Sequence, residues 1–458
     1  MLPFPPFAAE KTTLPIEIEK DRSVSNARLT SVSSENAADL AEKARPRKTL
    51  GRIGAAVDRV YDVAIVGAGL VGLSTAYQLL RQRPGLRLVV VEKEADVAAH
   101  QSSHNTGILH AGLYYRPGSF KARLCREGKA ELERFADEHG IPWRRCGKLV
   151  VALTEDELPR LRTLAERARA NGVEGIEEIG PERIREIEPH VAGLRALYSP
   201  GTGVIEFRRV GGALANEIRS QGAQILTSCA VVGIADRGSE LVLRTSRGEV
   251  LARRLVACAG LYSDRIAAMT GHDREHRIVP FRGDYYMFRA EARRLVRALV
   301  NPVPDPRLPF LGVHFTRRLD GEVLAGPNAV LAFAREGYRA SDVSLRDLAE
   351  TLSFPGFYRL LRNYIGTGAR ELWRDLVKSA FVRQVRRYLP ELKVEDLRPG
   401  PSGVRAMCLD RKGRLLDDFS FAEGEKVLHV RNAPSPAATA CLAIGRYLTQ
   451  RAIERFGL

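Results

Sequence analysis

Residues 62–80 read Asp-Val-Ala-Ile-Val-Gly-Ala-Gly-Leu-Val-Gly-Leu-Ser-Thr-Ala-Tyr-Gln-Leu-Leu, and an acid, Glu92, stands twenty residues past the third glycine. No other stretch constrains the fold as tightly, because each piece has a mechanical task. Val63 to Val66 is an unbroken apolar run, as a parallel strand buried on both faces would be. Gly67, Gly69 and Gly72, with Ala68 between the first two, supply the tight turn, the close backbone approach and the helix–strand contact of a pyrophosphate site. Leu70, Leu73, Ala76, Tyr77 and Leu80 recur at helical spacing, so the turn opens a helix whose first amides face the phosphates. Pro84-Gly85 breaks the chain, and Leu86 to Val91 give a second buried strand ending at Glu92, whose carboxylate can accept both hydroxyls of an adenosine ribose. The unit predicts a dinucleotide site.

The 458 residues leave room for two or three cores, or for one discontinuous pair of domains. No run of 18 apolar residues is present, which argues against a transmembrane helix. The six cysteines are scattered without a C-x-x-C pair or zinc-like spacing, so free thiols in a reducing, cytoplasmic setting are expected. A net charge of +16, from 71 basic and 55 acidic residues, suits a solvated basic surface or contact with an anionic bilayer. No basic run interleaved with aromatics favours nucleic acid, and none is expected as a partner.

Residues 1–58 are rich in Ser, Ala, Lys, Arg and Glu, with one short helix expected near Ala37 to Ala44, and read as a disordered extension. Beyond them the expected helices are Arg123–His139, Glu155–Asn171, Arg209–Gln221, Tyr262–Met269, a helical region Leu345–Leu389, and a last helix from about Ala437. Strands are expected at Gly147–Leu153, Gly203–Phe207, Gln224–Leu226, Val231–Ala235, Leu241–Ser246, Glu249–Ala257, Arg414–Phe421 and Val427–Val430. The strand ending in Cys258-Ala259-Gly260 offers a second backbone approach to a long cofactor, and Val231 is counted among the cofactor contacts. A nucleotide half-site first, a glycine-ended strand midway and a small-residue loop before the last helix resemble flavoproteins of the glutathione-reductase-like class. The predicted fold class is α/β: a Rossmann-like FAD-binding domain from residues 59–145, 200–272 and 400–458, with an inserted α+β substrate domain from 146–199 and 273–399.

After Glu92 comes His100-Gln-Ser-Ser-His-Asn-Thr-Gly-Ile-Leu-His-Ala-Gly-Leu-Tyr-Tyr. The histidine spacings of four and six are loop spacings with no apparent acidic partner, so no metal is expected. This run, Pro117-Gly-Ser-Phe-Lys-Ala-Arg-Leu-Cys, Pro280-Phe-Arg-Gly-Asp-Tyr-Tyr, Pro309-Phe-Leu-Gly-Val-His-Phe-Thr-Arg, Gly326-Pro-Asn-Ala-Val-Leu-Ala-Phe-Ala-Arg-Glu-Gly-Tyr, Gly403-Val-Arg-Ala and Asn432-Ala-Pro-Ser-Pro-Ala-Ala-Thr-Ala resemble the FAD-dependent L-2-hydroxyglutarate dehydrogenases (or oxidases) of the D-amino-acid-oxidase-like superfamily. The likeness covers essentially residues 60 to 450. Departures are the extension, and Asp284 and Tyr286 where the family usually has Glu and Phe.

The resemblance implies FAD as cofactor, oxidation of L-2-hydroxyglutarate to 2-oxoglutarate, and electrons passed to a respiratory quinone or similar acceptor. The residue types suit that chemistry independently: hydride removal from a secondary alcohol needs a base at the hydroxyl and cations on the carboxylates. His110 and His314 are the candidate bases, and Arg282 and Arg405 the candidate carboxylate clamps. His104, Asn105, Thr106 and Gly107 are expected to face FAD. Ser435, Pro436 and Ala437, within Asn432 to Thr439, are expected to bring a helix N-terminus to the edge of the flavin where negative charge develops. Phe357 to Leu389 is basic and partly amphipathic, which suits peripheral contact with the inner face of a cell membrane or a solvated helical face. An oxidase of amino acids or N-methyl amines is the nearest alternative; an RNA-associated flavoprotein is more distant, and a noncatalytic FAD module last.

Overall fold

A computed structural model describes residues 59–272, 275–305, 312–362 and 377–458; the extension, the short helix expected near Ala37 to Ala44 and part of the Pro309 block lie outside the described residues. Strand Val60–Val66 buries Val63, Ala64 and Ile65 completely, as its unbroken apolar run requires. It pairs in parallel with Leu88–Val91 on one side and Gly248–Ala257 on the other, matching Ile65 to Val90 and to Val256. The sheet runs Val231–Asp236, Leu241–Thr245, Gly248–Ala257, Val60–Val66, Leu88–Val91, Gln224–Leu226, and Val427–Asn432 joins it beside Gly248–Ala257. Ser420–Glu423 pairs antiparallel with Val427–Asn432.

Helix Leu70–Gln82 turns Leu73, Leu79 and Leu80 into one core with Val210, Leu214 and Ile218 of helix Phe207–Ser220 and Ile444 and Leu448 of helix Cys441–Phe456. Helices Leu70–Gln82 and Cys441–Phe456 approach closely because Gly445 has no side chain: a Cβ there would sit 2.6 Å from the backbone of Ser74. On the opposite face Val89, Val91, Leu255 and Ala257 pack against Leu241, Leu243 and Ile266.

A second sheet is ordered Val330–Leu331, His276–Phe288, Val323–Gly326, His314–Arg317, Leu299–Pro302, Lys148–Ala152, Arg195–Ser199, Glu177–Ile179. Leu397–Asp410 lies along His276–Phe288, from His276 opposite Asp410 to Phe288 opposite Leu397, and runs across residue 400, where the sequence reading placed a change of domain. Lys148–Ala152 is buried on both faces: Leu149 and Val151 meet Phe288, Val300 and Phe315, while Val150 and Ala152 meet Leu161 and Leu164 of helix Leu158–Ala170. A three-stranded sheet of Ile108–Leu109, Gly203–Ile205 and Trp143–Arg145 also forms.

Three element boundaries differ from expectation for local reasons. Helix Phe120–Glu138 starts three residues early because the Ser119 hydroxyl accepts the Ala122 amide at 3.2 Å. The strand expected from Arg414 begins only at Ser420, since the Asp410 carboxylate takes the amides of Lys412 and Arg414 and closes a turn through Gly413, at φ +83. The last helix begins at Cys441 rather than Ala437: the Ala437 and Ala440 amides are drawn into turns onto the Pro434 and Pro436 carbonyls. The helical region expected at Leu345–Leu389 comprises helices Leu345–Leu352, 355–362 and Lys378–Val385, with 363–376 outside the described residues.

Candidate active site

A cavity of about 340 Å³ opens at the end of strand Val60–Val66, lined by Gly67, Gly69, Glu92, Val231 and the expected second approach Cys258-Ala259-Gly260, and by Ser102, which the sequence left without a role. Gly67 turns the chain at φ +102, and a Cβ on it would meet the Cys258 carbonyl oxygen at 2.5 Å. Gly72 is excluded from side chains by packing, because its Cβ would lie 1.9 Å from the Gly67 oxygen. Gly69 caps the helix in an extended conformation without a side-chain bond. The first turn therefore shows bare amides to the cavity, apart from Leu70, whose amide the Ser102 hydroxyl accepts at 3.0 Å. Glu92 is held in place by the Ala68 amide on one carboxylate oxygen, at 2.7 Å, and the Glu94 amide on the other, at 2.9 Å. A cradle that a Cβ would fill, amides facing outward and an oriented acid at its rim are the features an adenosine diphosphate moiety fits.

The loop after Glu92 is shaped by its own side chains. Asn105 donates to the Gln101 and Ser102 carbonyls and accepts from the Gly107 amide, so its polar atoms build the loop. Gly107, at φ +76, passes so close to Ile205 that a Cβ would lie 2.6 Å from its oxygen; Thr106 between them is half-buried. His104 is exposed and stacks on Tyr338, ring centroids 4.1 Å apart. Of the late turn, Ser435 lies beside the Tyr115 hydroxyl, and Pro436 and Ala437 lead to Thr439, whose hydroxyl accepts the His110 amide at 3.2 Å and donates to the Ile108 carbonyl.

His100 does have acidic neighbours, contrary to the sequence expectation. Folding brings Glu94 to 2.9 Å from its Nε2 and Glu336 to 3.6 Å, forming with His100 a group compact enough to surround an ion. The Lys93 ammonium, 2.5 Å from Glu336 and 2.8 Å from His100, supplies the cation that this group shares.

The four candidate catalytic residues do not all converge. His110 and His314 come together, and with them Lys148, which the sequence reading missed: the Lys148 charge acts on both imidazoles, and that of Arg405 acts on His314 and Tyr285. Burial, then Lys148 and His314, hold the His110 pKa well below the ordinary imidazole value. Burial likewise lowers His314 to about 4, with the Lys148 and Arg405 charges adding to the fall. Both rings are therefore neutral at pH 7. The Gly312 carbonyl lies 3.1 Å from His314 Nδ1, which assigns the proton there and leaves the Nε2 lone pair as the acceptor. Burial also drives Lys148 down, to about 8. Arg405 reaches the Asn328 carbonyl at 3.5 Å. Arg282 stands one step along the same ladder, opposite Val404 while Arg405 is opposite Phe281, so the two guanidinium groups leave opposite faces. Asp284 grips Arg282 through both oxygens at 2.9 and 2.8 Å. A signal for Lys148 was present: a lone lysine heads the otherwise apolar run Leu-Val-Val-Ala.

Residues 62–451 match the FAD dependent oxidoreductase family. The chain is 46% identical over 417 residues to the mitochondrial L-2-hydroxyglutarate dehydrogenase of Nematostella vectensis, covering 87% of this chain and 91% of that one. It is 43% identical over 397 residues to the L-2-hydroxyglutarate dehydrogenase of Indibacter alkaliphilus, covering 86% and 100%. The fold superposes on dithionite-reduced, FAD-bound L-alpha-glycerophosphate oxidase from Mycoplasma pneumoniae with a TM-score of 0.71 at 22% identity, covering 87% of this chain and 95% of that one. The cradle, the two sheets and these similarities agree: the chain is a member of the FAD-dependent oxidoreductase family, in its L-2-hydroxyglutarate dehydrogenase branch, and FAD is its cofactor.

Proposed function

We propose that the protein oxidises L-2-hydroxyglutarate to 2-oxoglutarate. One observation supports this reading beyond family membership: two uncharged imidazoles, His314 buried and His110 half-buried, stand with two cations, and among the described residues no acid acts on His110, His314 or Lys148. Such a site is built for an anion that must lose a proton. In this reading the eight-stranded sheet carries the cofactor and the nine-stranded sheet the substrate. Gly67 to Gly72, Glu92, Val231 and Gly260 hold the adenylate end of FAD, with the loops His104 to Gly107 and Ser435 to Ala437 nearer the flavin. FAD bound there supplies the two-electron acceptor for the hydride at the hydroxyl-bearing carbon.

Arg405 binds and orients the carboxylate beside that carbon. His314 Nε2 takes the hydroxyl proton, its ring fixed by the Gly312 carbonyl, and His110 closes the site against water. The dianionic substrate offsets the Lys148 and Arg405 charges, raising the imidazole pKa toward the operating range as the complex forms. Electrons then leave to a quinone or similar acceptor. Exposed Val343, Leu345, Leu352, Tyr358 and Leu361, set among Arg339, Arg346 and Arg359, suit peripheral contact with an anionic bilayer. Among the described residues no helix is long and apolar enough to cross one. Six free cysteines suit the reducing cytoplasmic side.

Anaerobic mixing with L-2-hydroxyglutarate, its D isomer, sarcosine and D-alanine tests the assignment. Rapid bleaching of the oxidised-flavin band by the L-hydroxy acid alone is expected. Bleaching by the amino acids and not by the L-hydroxy acid would overturn it.

A further inference from the structure

We propose that Lys148 is a substrate-binding residue whose ammonium takes one of two carboxylates, making the site selective for a dicarboxylic 2-hydroxy acid over one ending in an alkyl group. The inference rests on the functional reading above and deepens it by naming the group that discriminates.

Lys148 is 1% exposed, yet among the described residues its ammonium has no hydrogen-bond acceptor and no carboxylate partner. Its one specific contact there is the face of the Tyr114 ring, 5.3 Å to the centroid. A desolvated ammonium left in this state is unfavourable, and proteins keep such a group where a ligand completes it. The groups that act on it electrostatically, the Cys125 and Cys146 thiols, are neutral at pH 7, because burial raises the pKa of both. Its own charge acts on His110 and His314, and the Arg405 charge acts on His314 as well.

The sheet register places Lys148 where a substrate beside His314 would be reached. Lys148 pairs with Leu299, and Leu299 with Thr316, so all three side chains leave one face; His314, two residues before Thr316, shares it. Asn301, two residues past Leu299, stands on the same wall. The Asn301 amide, the Thr316 hydroxyl and the Tyr114 hydroxyl are likewise buried without partners among the described residues. A wall carrying an ammonium and several unsatisfied polar groups, with no acid to pair them among the described residues, has the character of an anion site awaiting its ligand. Arg405, across the sheet on Leu397–Asp410, is positioned to take the other carboxylate, so the two cations define a substrate with a negative charge at each end.

The test uses the FAD-loaded protein and Lys148→Met, which keeps the length of the side chain and removes the charge. The variant is expected to retain its flavin and to melt no lower than wild type, since an apolar group replaces an unpaired buried charge. KM for L-2-hydroxyglutarate, and the Kd for 2-oxoglutarate read from perturbation of the flavin spectrum, should each rise about 100-fold. KM for L-2-hydroxypentanoate, which lacks the second carboxylate, should change less than about threefold, so the preference for the dicarboxylate collapses. Wild-type reduction by L-2-hydroxyglutarate with unchanged KM and Kd in Lys148→Met overturns the inference while leaving the functional reading intact. A variant slowed in flavin reduction at unchanged KM overturns it too, in favour of proton transfer by Lys148. If the wild type is neither reduced by L-2-hydroxyglutarate nor perturbed by 2-oxoglutarate, the functional reading itself falls, and the inference with it.

Discussion

The glycine cradle and the catalytic wall are both buried polar sites, yet they are built on opposite principles. In the cradle the side-chain polar groups are partnered inside the protein: Glu92 by two amides, Asn105 by two carbonyls and an amide, Ser102 by the Leu70 amide. Its specificity lies in backbone shape and in side chains that are missing. On the wall, Lys148, Thr316 and Asn301 are buried, the polar atoms of Thr316 and Asn301 have no hydrogen-bond partner among the described residues, and the charges come from strands scattered along the chain. The cradle's polar groups are satisfied without a ligand. The wall holds unpaired polar groups beside an ammonium, and in the proposed function a dianion relieves that imbalance, which is how a site discriminates by charge.

That contrast predicts different failures. The largest belongs to the cradle: Gly72→Ala drives a methyl group into the Gly67 carbonyl, and purified protein should lose most of its bound FAD. Flavin stoichiometry near wild type would show that the turn can yield. Next, His314→Asn should retain flavin and bind 2-oxoglutarate within a few-fold of wild type, but slow anaerobic flavin reduction by about 10²–10⁴. His110→Asn should slow it less; if their order is reversed, His110 is the base. Arg405→Ala should raise KM for L-2-hydroxyglutarate about 100-fold at constant flavin content, and an unaltered KM would remove it from the substrate site.

An effect of similar size to the last is on stability. His314 titrates at about 4 in the folded protein against an ordinary 6.5, so the unfolded chain binds the extra proton between these values. The stability it contributes is complete above pH 6.5 and is lost as pH falls through 4, about 3 kcal/mol in all. His314→Asn should flatten that part of the stability profile measured by urea unfolding from pH 7 to 4. An equally steep profile would place the acid sensitivity elsewhere, with buried His429, held at about 3, the next group to examine.

The cradle could be read in the sequence because its information is local. A strand, a turn requiring absent side chains, a helix and an acid follow one another within about thirty residues, and each leaves a compositional trace. His110 and His314 were legible as residue types, since few side chains accept a proton near neutrality. Their protonation was not: burial and a neighbouring ammonium lower both below the ordinary imidazole value, and neither effect is visible in the local sequence. Arg282 and Arg405 looked equivalent, each beside glycine in a similar motif, until the ladder set them opposite Val404 and Phe281. A shift of one residue in register inverts every face, and nothing local to either motif encodes it.

By itself, then, the sequence determined that an α/β nucleotide unit opens the folded chain and that its turn admits only glycine, because those demands are met by neighbours in the chain. Only the tertiary structure decided which cation faces which imidazole. Lys148, His314 and Arg405 meet through pairings between strands far apart in sequence, and their charges interact strongly because folding removes the water that would screen them.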